Sequence, residues 1–386
     1  MKHSYVEGEF FQRYGNRDNI PVLFFSPGRV NLIGEHTDYN SGYVLPCALN
    51  FGTWLAIRPN EVNRINMASL NFDSTGSFSI ETIRSRISGS WTNYPAGVIN
   101  EFIDRGISVK GFDMLFYGDI PNGAGLSSSA SIEMVTALAI NTLTEAELDR
   151  LELVKLSQHA ENHFVGMNCG IMDQFAVGFG RKNSALFLDC GTLEYEIVPF
   201  NPGKYSLIIA NTNKKRVLTD SKYNERRAEC EKAVEMLQPM RRISSLTDVG
   251  YDDLHLLSKY ITDDTILRRA RHVITENRRV RLAVEALKQG NLTEFGSLMN
   301  QSHDSLRADY EVTGYELDTM VSEARKIKGV IGTRMTGAGF GGCTVTLAEA
   351  DETSRFTSKL GKEYKKLTGL TPDFYTPEIW DGAYQL

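Results

Sequence analysis

Three short stretches of this sequence concentrate residues able to do chemistry. One runs Pro121-Asn122-Gly123-Ala124-Gly125-Leu126-Ser127-Ser128-Ser129-Ala130-Ser131. Glycines let a backbone approach a ligand closely. Serine hydroxyls and the free N–H groups of a helix start add donors, and the helix dipole favours negative charge there. That combination suits a phosphate, although a plain serine-rich helix cap uses the same residue types. It is not a Walker A loop, because no G-x-x-x-x-G-K-[ST] pattern occurs in the chain. A second stretch runs Arg334-Met335-Thr336-Gly337-Ala338-Gly339-Phe340-Gly341-Gly342-Cys343. Gly337, Gly339 and Gly342 satisfy G-x-G-x-x-G, but a dinucleotide site needs a helix next. The β-rich Cys343-Thr344-Val345-Thr346-Leu347 follows instead. The stretch is then a tight hairpin, or a backbone wall closing on a ligand. The third, residues 29–38, offers Arg29, Asn31, Glu35, His36, Thr37 and Asp38. Such clustered polar groups suit a polyol, and one arginine suits a phosphoryl group. A solvated loop is the other reading.

The elements around these stretches must position them. Residues 21–25 and 44–57 read as strands, rich in β-branched and aromatic residues. Residues 112–117 form a third strand, followed by turn-rich 118–125 and a helix over 127–143. Ile132, Val135, Leu138 and Ala139 recur there at helical spacing. Residues 151–164 form another helix. The run Val198-Pro199-Phe200-Asn201-Pro202-Gly203 marks a domain boundary, dividing the chain into 1–202 and 203–386. Beyond it, 205–210 is a strand, and 221–236, 264–288, 291–306 and 316–326 are helices. Residues 333–347 read as strand, glycine loop, strand, and 354–367 as a last helix. The fold class is α+β. No internal repeat and no low-complexity segment is present.

Composition narrows the function. The chain has 386 residues, is 41% hydrophobic and 23% charged, and carries a net charge of −6. That size suits two domains, and that charge argues against nucleic acid as the main partner. No apolar run approaches the roughly 18 residues of a membrane span. The start, MKHSYVEGEF, has no apolar core of a signal peptide. The five cysteines are scattered, without a CxxC pair, which suits reduced thiols in a cytoplasm. There are 33 glycines, against roughly 27 at ordinary usage. Eight of them, Gly28, Gly34, Gly123, Gly125, Gly337, Gly339, Gly341 and Gly342, lie in the three stretches or, for Gly28, directly before one. His159 and His163 share a helix face, but no glutamate follows the HExxH pattern and no third zinc ligand is evident. Arg268, Arg269, Arg271, Arg278, Arg279 and Arg281 read as a solvated helix face with acidic partners.

In this order and spacing, the three stretches resemble the GHMP small-molecule kinases. PGRVNLIGEHTDY, residues 27–39, closely resembles the galactokinase signature within that family, as does Glu161-Asn162-His163-Phe164-Val165-Gly166-Met167-Asn168-Cys169-Gly170-Ile171-Met172-Asp173-Gln174. The resemblance implies a two-domain GHMP kinase fold with the active site in the cleft and the C-terminus packing back on the N-terminal unit. It implies transfer of the γ-phosphoryl of MgATP to the anomeric hydroxyl of α-D-galactose, opening galactose catabolism. Gly123, Ala124, Gly125, Leu126, Ser127, Ser128 and Ser129 would wrap the ATP phosphates. Ser129 and Glu161 would hold Mg²⁺. Asp173 would accept or orient the attacking hydroxyl, and Arg29 would stabilise transition-state charge beside it. Glu35, His36, Thr37, Asp38, Asp173 and Tyr223 would bind the sugar, and Ser69, Trp91 and Tyr94 the adenine. Many relatives have three glycines where this chain has Gly337-Ala338-Gly339, which is tolerable if Ala338 keeps a negative φ. The intact serine run favours an active enzyme over a sugar sensor without turnover. A kinase of N-acetylgalactosamine or arabinose is the other enzymatic reading. The partners implied are galactose and ATP, with no nucleic acid or membrane, in a cytoplasmic monomer or weak homo-oligomer.

Overall fold

A computed structural model describes residues 2–15, 19–121, 123–214 and 219–386. A six-stranded sheet organises the first half. Its strand order is Tyr384–Gln385, Val22–Asn31, Pro46–Pro59, Phe112–Gly118, Ile65–Ser69 and Gly76–Phe78. Apolar side chains of Leu55, Ile57, Met114 and Phe116 face helices Asn93–Asp104 and Ser128–Thr144 through a fully buried core. On the other face, Val6 and Phe10 of helix Lys2–Tyr14 cover Ala56, Ala68 and Leu115.

The strand Val22–Asn31 runs further than the reading of 21–25 expected, carrying Arg29 and Asn31 out of a loop and into the sheet. Its register with Pro46–Pro59 shifts between Pro27 and Arg29. There the backbone N–H of Arg29 donates to Leu126 O, 3.2 Å away, in the serine-rich loop. An irregularity of this kind re-aims a side chain, and here it turns Arg29 toward that loop.

A second, four-stranded sheet has the order Val330–Thr336, Cys343–Glu349, Tyr205–Asn211 and Asp373–Tyr375. Its first two strands are antiparallel, with Thr336 opposite Cys343, so the glycine stretch 337–342 is their connection and leads into no helix. Helix Asp264–Lys288 has the bounds expected from sequence, with Asp263 capping its first turn. Val280, Ala283 and Val284 of that helix pack in one apolar cluster with Val30, Leu32 and Leu45 of the first half and Ile209 and Val345 of the second sheet. A shared core of this kind holds the three chemical stretches in fixed relation. Among the described residues, no helix is long and apolar enough to cross a membrane.

Candidate active site

Two of the three stretches line one cavity of about 430 Å³, with Arg29, His36, Asp38, Asp173, Tyr223 and Ala338 in its wall, and the serine-rich stretch joins it through contacts to Arg29 and Asp173. Asp173 lies in the first turn of helix Met172–Phe179, where the dipole favours a carboxylate. Its Oδ1 accepts from Arg29 Nε at 2.7 Å and lies 2.7 Å from Arg29 Nη2. Its Oδ2 accepts from Ser127 Oγ at 2.7 Å. The third guanidinium nitrogen, Nη1, donates to Gly125 O at 2.8 Å. Arg29 is only 4% exposed, so the fork is locked and Asp173 faces the cavity in one orientation.

The serine-rich loop meets Arg29 and Asp173 through Gly125 O and Ser127 Oγ. Gly123, Gly125 and Ser127 have φ of 68°, 74° and 61°. Left-handed residues at alternate positions turn backbone N–H groups toward one concavity, the geometry of an anion nest. Helix Ser128–Thr144 begins immediately after it. Ser127 makes no cap hydrogen bond, and its hydroxyl serves Asp173 instead. Ser131 is structural, donating to the first sheet at Ser26 O, 2.7 Å away. Asn122 of the same stretch lies outside the described residues. Beyond Ser128 and Ser129, a smaller cavity of about 190 Å³ is lined by Ser69, Phe72, Trp91, Tyr94 and Phe116. Trp91 stands edge-on to Phe116, with ring centroids 5.5 Å apart. This is an aromatic slot suited to a planar base.

The glycine connection closes the cavity from the second sheet. A Cβ on Gly337 would lie 3.2 Å from Gly125 O, so the two loops touch. Gly337 N donates to Glu35 Oε1, and Asn31 Nδ2 donates to Glu35 Oε2. Buried Arg334 lies 3.6 Å from the same carboxylate. Ala338 is not among the residues with positive φ, which meets the condition set by its methyl group.

Comparison with known proteins agrees with this geometry. The "Galactokinase galactose-binding signature" matches residues 8–59, "GHMP kinases N terminal domain" residues 93–181, and "GHMP kinases C terminal" residues 283–366. A galactokinase of Fusobacterium nucleatum is 53% identical over 93% of this chain and 94% of its own. One of Clostridium tetani is 50% identical over 100% of this chain and 98% of its own. The chain belongs to the galactokinase family. The crystal structure of Lactococcus lactis galactokinase complexed with galactose superposes with a TM-score of 0.97, at 43% identity and full coverage of both chains. Methanococcus jannaschii mevalonate kinase shares the fold, with a TM-score of 0.68 at 19% identity, covering 95% of this chain and 100% of that one. The architecture is the GHMP kinase fold, and this galactokinase-family chain is an ATP-dependent sugar kinase.

Not every expected residue faces the galactokinase-family site. Thr37 is fully buried, and its Oγ1 lies 2.9 Å from Gly34 O and 2.8 Å from Tyr43 O. Its hydroxyl is used to hold the turn, not to line the cavity. Leu126 packs in the core, and its contribution to the loop is the carbonyl held by Arg29. Both oxygens of Glu35 are engaged by protein donors, so it ties the stretch 29–38 to the glycine connection. Helix Asp264–Lys288 supports the same turn, in a role the sequence reading missed. Glu276 Oε1 accepts from Gly34 N at 3.0 Å, and His272 Nε2 lies 3.1 Å from Glu35 O. Its arginines have acidic or aromatic partners, such as Arg269 with Glu229 and Glu311 and Arg278 over Tyr251.

Burial sets the electrostatics of this sugar-kinase site. It pushes His36 down to about 3, with His272 adding to the effect, so the ring is neutral at neutral pH. His36 Nδ1 meets Tyr39 Oη at 2.8 Å, and Nε2 is buried at the cavity wall. Burial and then the charge of Asp173 raise Asp38 to about 7. An unfolded aspartate releases its proton near 3.8. Between those values the unfolded chain binds fewer protons, so stability falls as pH rises through this window and levels off above it. Asp38→Asn is therefore expected to raise the melting temperature of the ligand-free protein at about pH 8 and to change it little at about pH 4. Equal shifts at the two pH values in thermal melts would contradict the assignment.

Glu161 provides the test for a metal. Helix Arg150–His159 passes into a π-helical turn, Ala160–Val165, where the sequence reading had one continuous helix. Wider turns of this kind are common at functional sites because they re-aim one side chain. Here the turn carries Glu161, which lines the main cavity. Burial and the charge of Asp173 raise its carboxyl above the ordinary value, opposed by hydrogen bonds from Ser129, Cys169 and Gln174. Two carboxylates crowded beside a serine hydroxyl fit a hard, oxygen-seeking cation. Mg²⁺ is a cation of that kind, taking few protein ligands and keeping water and phosphate oxygens.

Proposed function

We propose that the protein transfers the γ-phosphoryl of MgATP to the anomeric hydroxyl of α-D-galactose, giving α-D-galactose 1-phosphate and ADP. The observation that carries this reading is Asp173, fixed by Arg29 and Ser127 at the wall of a cavity shared with Asp38, His36 and Tyr223. The sugar oxygen forms a bond to the γ-phosphorus as the bond from that phosphorus to the bridging oxygen of ADP breaks. The electron pair leaves with ADP, and the hydroxyl proton passes to Asp173 Oδ2 or to solvent. Arg29 stabilises charge that spreads onto the transferring group. Such reactions need mainly positioning and electrostatics, which this set of residues supplies. Asp38, His36 and Tyr223 read the sugar hydroxyls. A buried acceptor left unpaired by the wrong epimer gives discrimination. The Lactococcus lactis protein of the same fold is described with galactose bound, which supports this choice of sugar.

Ser128, Ser129 and the loop N–H groups hold the phosphates, and the slot of Ser69, Trp91 and Tyr94 takes the adenine. Ser129 and Glu161 would hold Mg²⁺, which neutralises phosphate charge when bound. Glu161→Gln keeps size but removes the charge. It is expected to raise the Mg²⁺ concentration needed for half-maximal rate about tenfold or more, with the KM for galactose unchanged. A Mg²⁺ titration at saturating ATP checks this, and an unaltered Mg²⁺ dependence would exclude Glu161 as a ligand.

We also infer two units joined near residue 202, and a cytoplasmic setting in a monomer or weak homo-oligomer. None of the described cysteines is joined in a disulfide, which supports that compartment. A coupled ADP-release assay with MgATP and a panel of sugars tests the function. Galactose should give the fastest turnover. Faster turnover of N-acetylgalactosamine or arabinose would replace it as substrate, and tight binding without turnover would make the protein a sensor.

A further inference from the structure

The main cavity is rich in carboxylate. Glu35, Asp38, Glu161 and Asp173 all line it, yet it must receive the most highly charged end of a nucleotide. Arg29 is the obvious counter-charge, but its three guanidinium nitrogens are already directed at Asp173 and Gly125 O. Three of its five N–H donors face those acceptors, and at 4% exposure it is held in place with little reach for the rest. The remaining arginine among the described lining residues is Arg86. It is exposed, and no ion pair or hydrogen bond engages its side chain among the described residues.

Two further observations define where Arg86 sits. Its guanidinium lies against Gly166, where a Cβ would come within 3.1 Å of Nη1. Gly166 has φ of 87° and ends the π-helical turn that carries Glu161. The recess for the guanidinium is thus part of the same turn that aims the metal carboxylate. Arg86 also lies five residues before Trp91 on the segment leading to helix Asn93–Asp104. Trp91 lines the aromatic slot and Arg86 the main cavity. One short segment therefore touches both ends of the path a nucleotide would take.

We propose that Arg86 is a second cation of the active site, and that it grips the terminal phosphoryl of ATP with a guanidinium fork free of protein partners among the described residues. This rests on the assignment of the aromatic slot to adenine and the main cavity to the phosphoryl end. A planar fork suits two phosphate oxygens at once, which a lysine cannot match. Seated at the rim, Arg86 meets the nucleotide without the burial that fixes Arg29 in place.

The test is affinity as a function of phosphate number, measured by calorimetry with magnesium present. Arg86→Ala should weaken the non-hydrolysable analogue AMPPNP about tenfold or more. ADP should be affected less and AMP not at all. In turnover, kcat falls and KM for ATP rises, with KM for galactose unchanged. Arg86→Lys should restore part of the AMPPNP affinity. Arg84→Ala is the control, because Arg84 is nearby but paired with Asp104 at 2.7 Å. It should behave as the unaltered protein. Unchanged AMPPNP affinity and kcat in Arg86→Ala would overturn the proposal. So would equal loss of AMP and AMPPNP, which would mean that the change acts through the adenine slot. If the unaltered protein proves to prefer another sugar, the sugar assignment fails while the AMPPNP comparison still decides the role of Arg86.

Discussion

Asp173→Asn is expected to lower kcat about a thousandfold and to leave the affinity for MgATP nearly intact. Asparagine has the same shape, so Arg29 and Ser127 can still orient it. What is lost is the anionic oxygen that meets the attacking hydroxyl. The fold should tolerate the change, since Asp173 stands at the cavity wall and not in the apolar core. Steady-state rates with galactose and ATP, together with a thermal melt, separate the two contributions. Near-normal turnover would remove Asp173 from the reaction and leave the cavity without a group to manage the hydroxyl proton.

Arg29→Ala should follow closely, with kcat lower by about a hundredfold or more. Its guanidinium joins Asp173, the serine-rich loop at Gly125 O and, through the backbone N–H, Leu126 O. Removing it leaves Asp173 uncompensated near Glu161 and Asp38 and frees the loop at the same time. Arg29→Lys is expected to restore little, because one ammonium cannot reproduce three directed donors. Folded Arg29→Ala protein with normal kinetics would reduce the residue to a packing role.

The parts legible in the sequence are those written locally. Helix Asp264–Lys288 has its own cap and a long apolar periodicity, and its bounds agree to the residue. The glycine stretch 337–342 is flanked by β-rich runs that pair with each other, so the hairpin needs no distant partner. Other features depend on contacts far along the chain. Pro27 and Gly28 look like a turn, yet the strand continues through them because Pro46–Pro59 and the loop at Leu126 supply partners. Ser127 looks like a helix cap, but Asp173, 46 residues on, is a stronger acceptor for its hydroxyl. Thr37 belongs to a polar motif, yet two carbonyls reach it before any ligand could. The π-helical turn under Glu161 has the same residue types as an ordinary helix. Arg86 lies in a segment with no motif, and its place in the cavity wall beside Gly166 depends on the fold.

The pairing of Tyr384–Gln385 with Phe24 and Phe25 has a consequence for how the molecule is made. Trp380 N reaches Ala48 O at 3.0 Å, Gly382 N reaches Gly180 O at 2.8 Å, and Leu386 N reaches Leu23 O at 2.9 Å. The first sheet is therefore completed by residues that leave the ribosome long after its other strands. Until then the strand that carries Arg29 is an open edge, the kind of surface that recruits other strands. A first half severed near residue 202 would keep most of its core and still lack that closure. Arg29 thus sits on a strand whose outer edge, at Phe24 and Phe25, is covered only by residues from the far end of the chain.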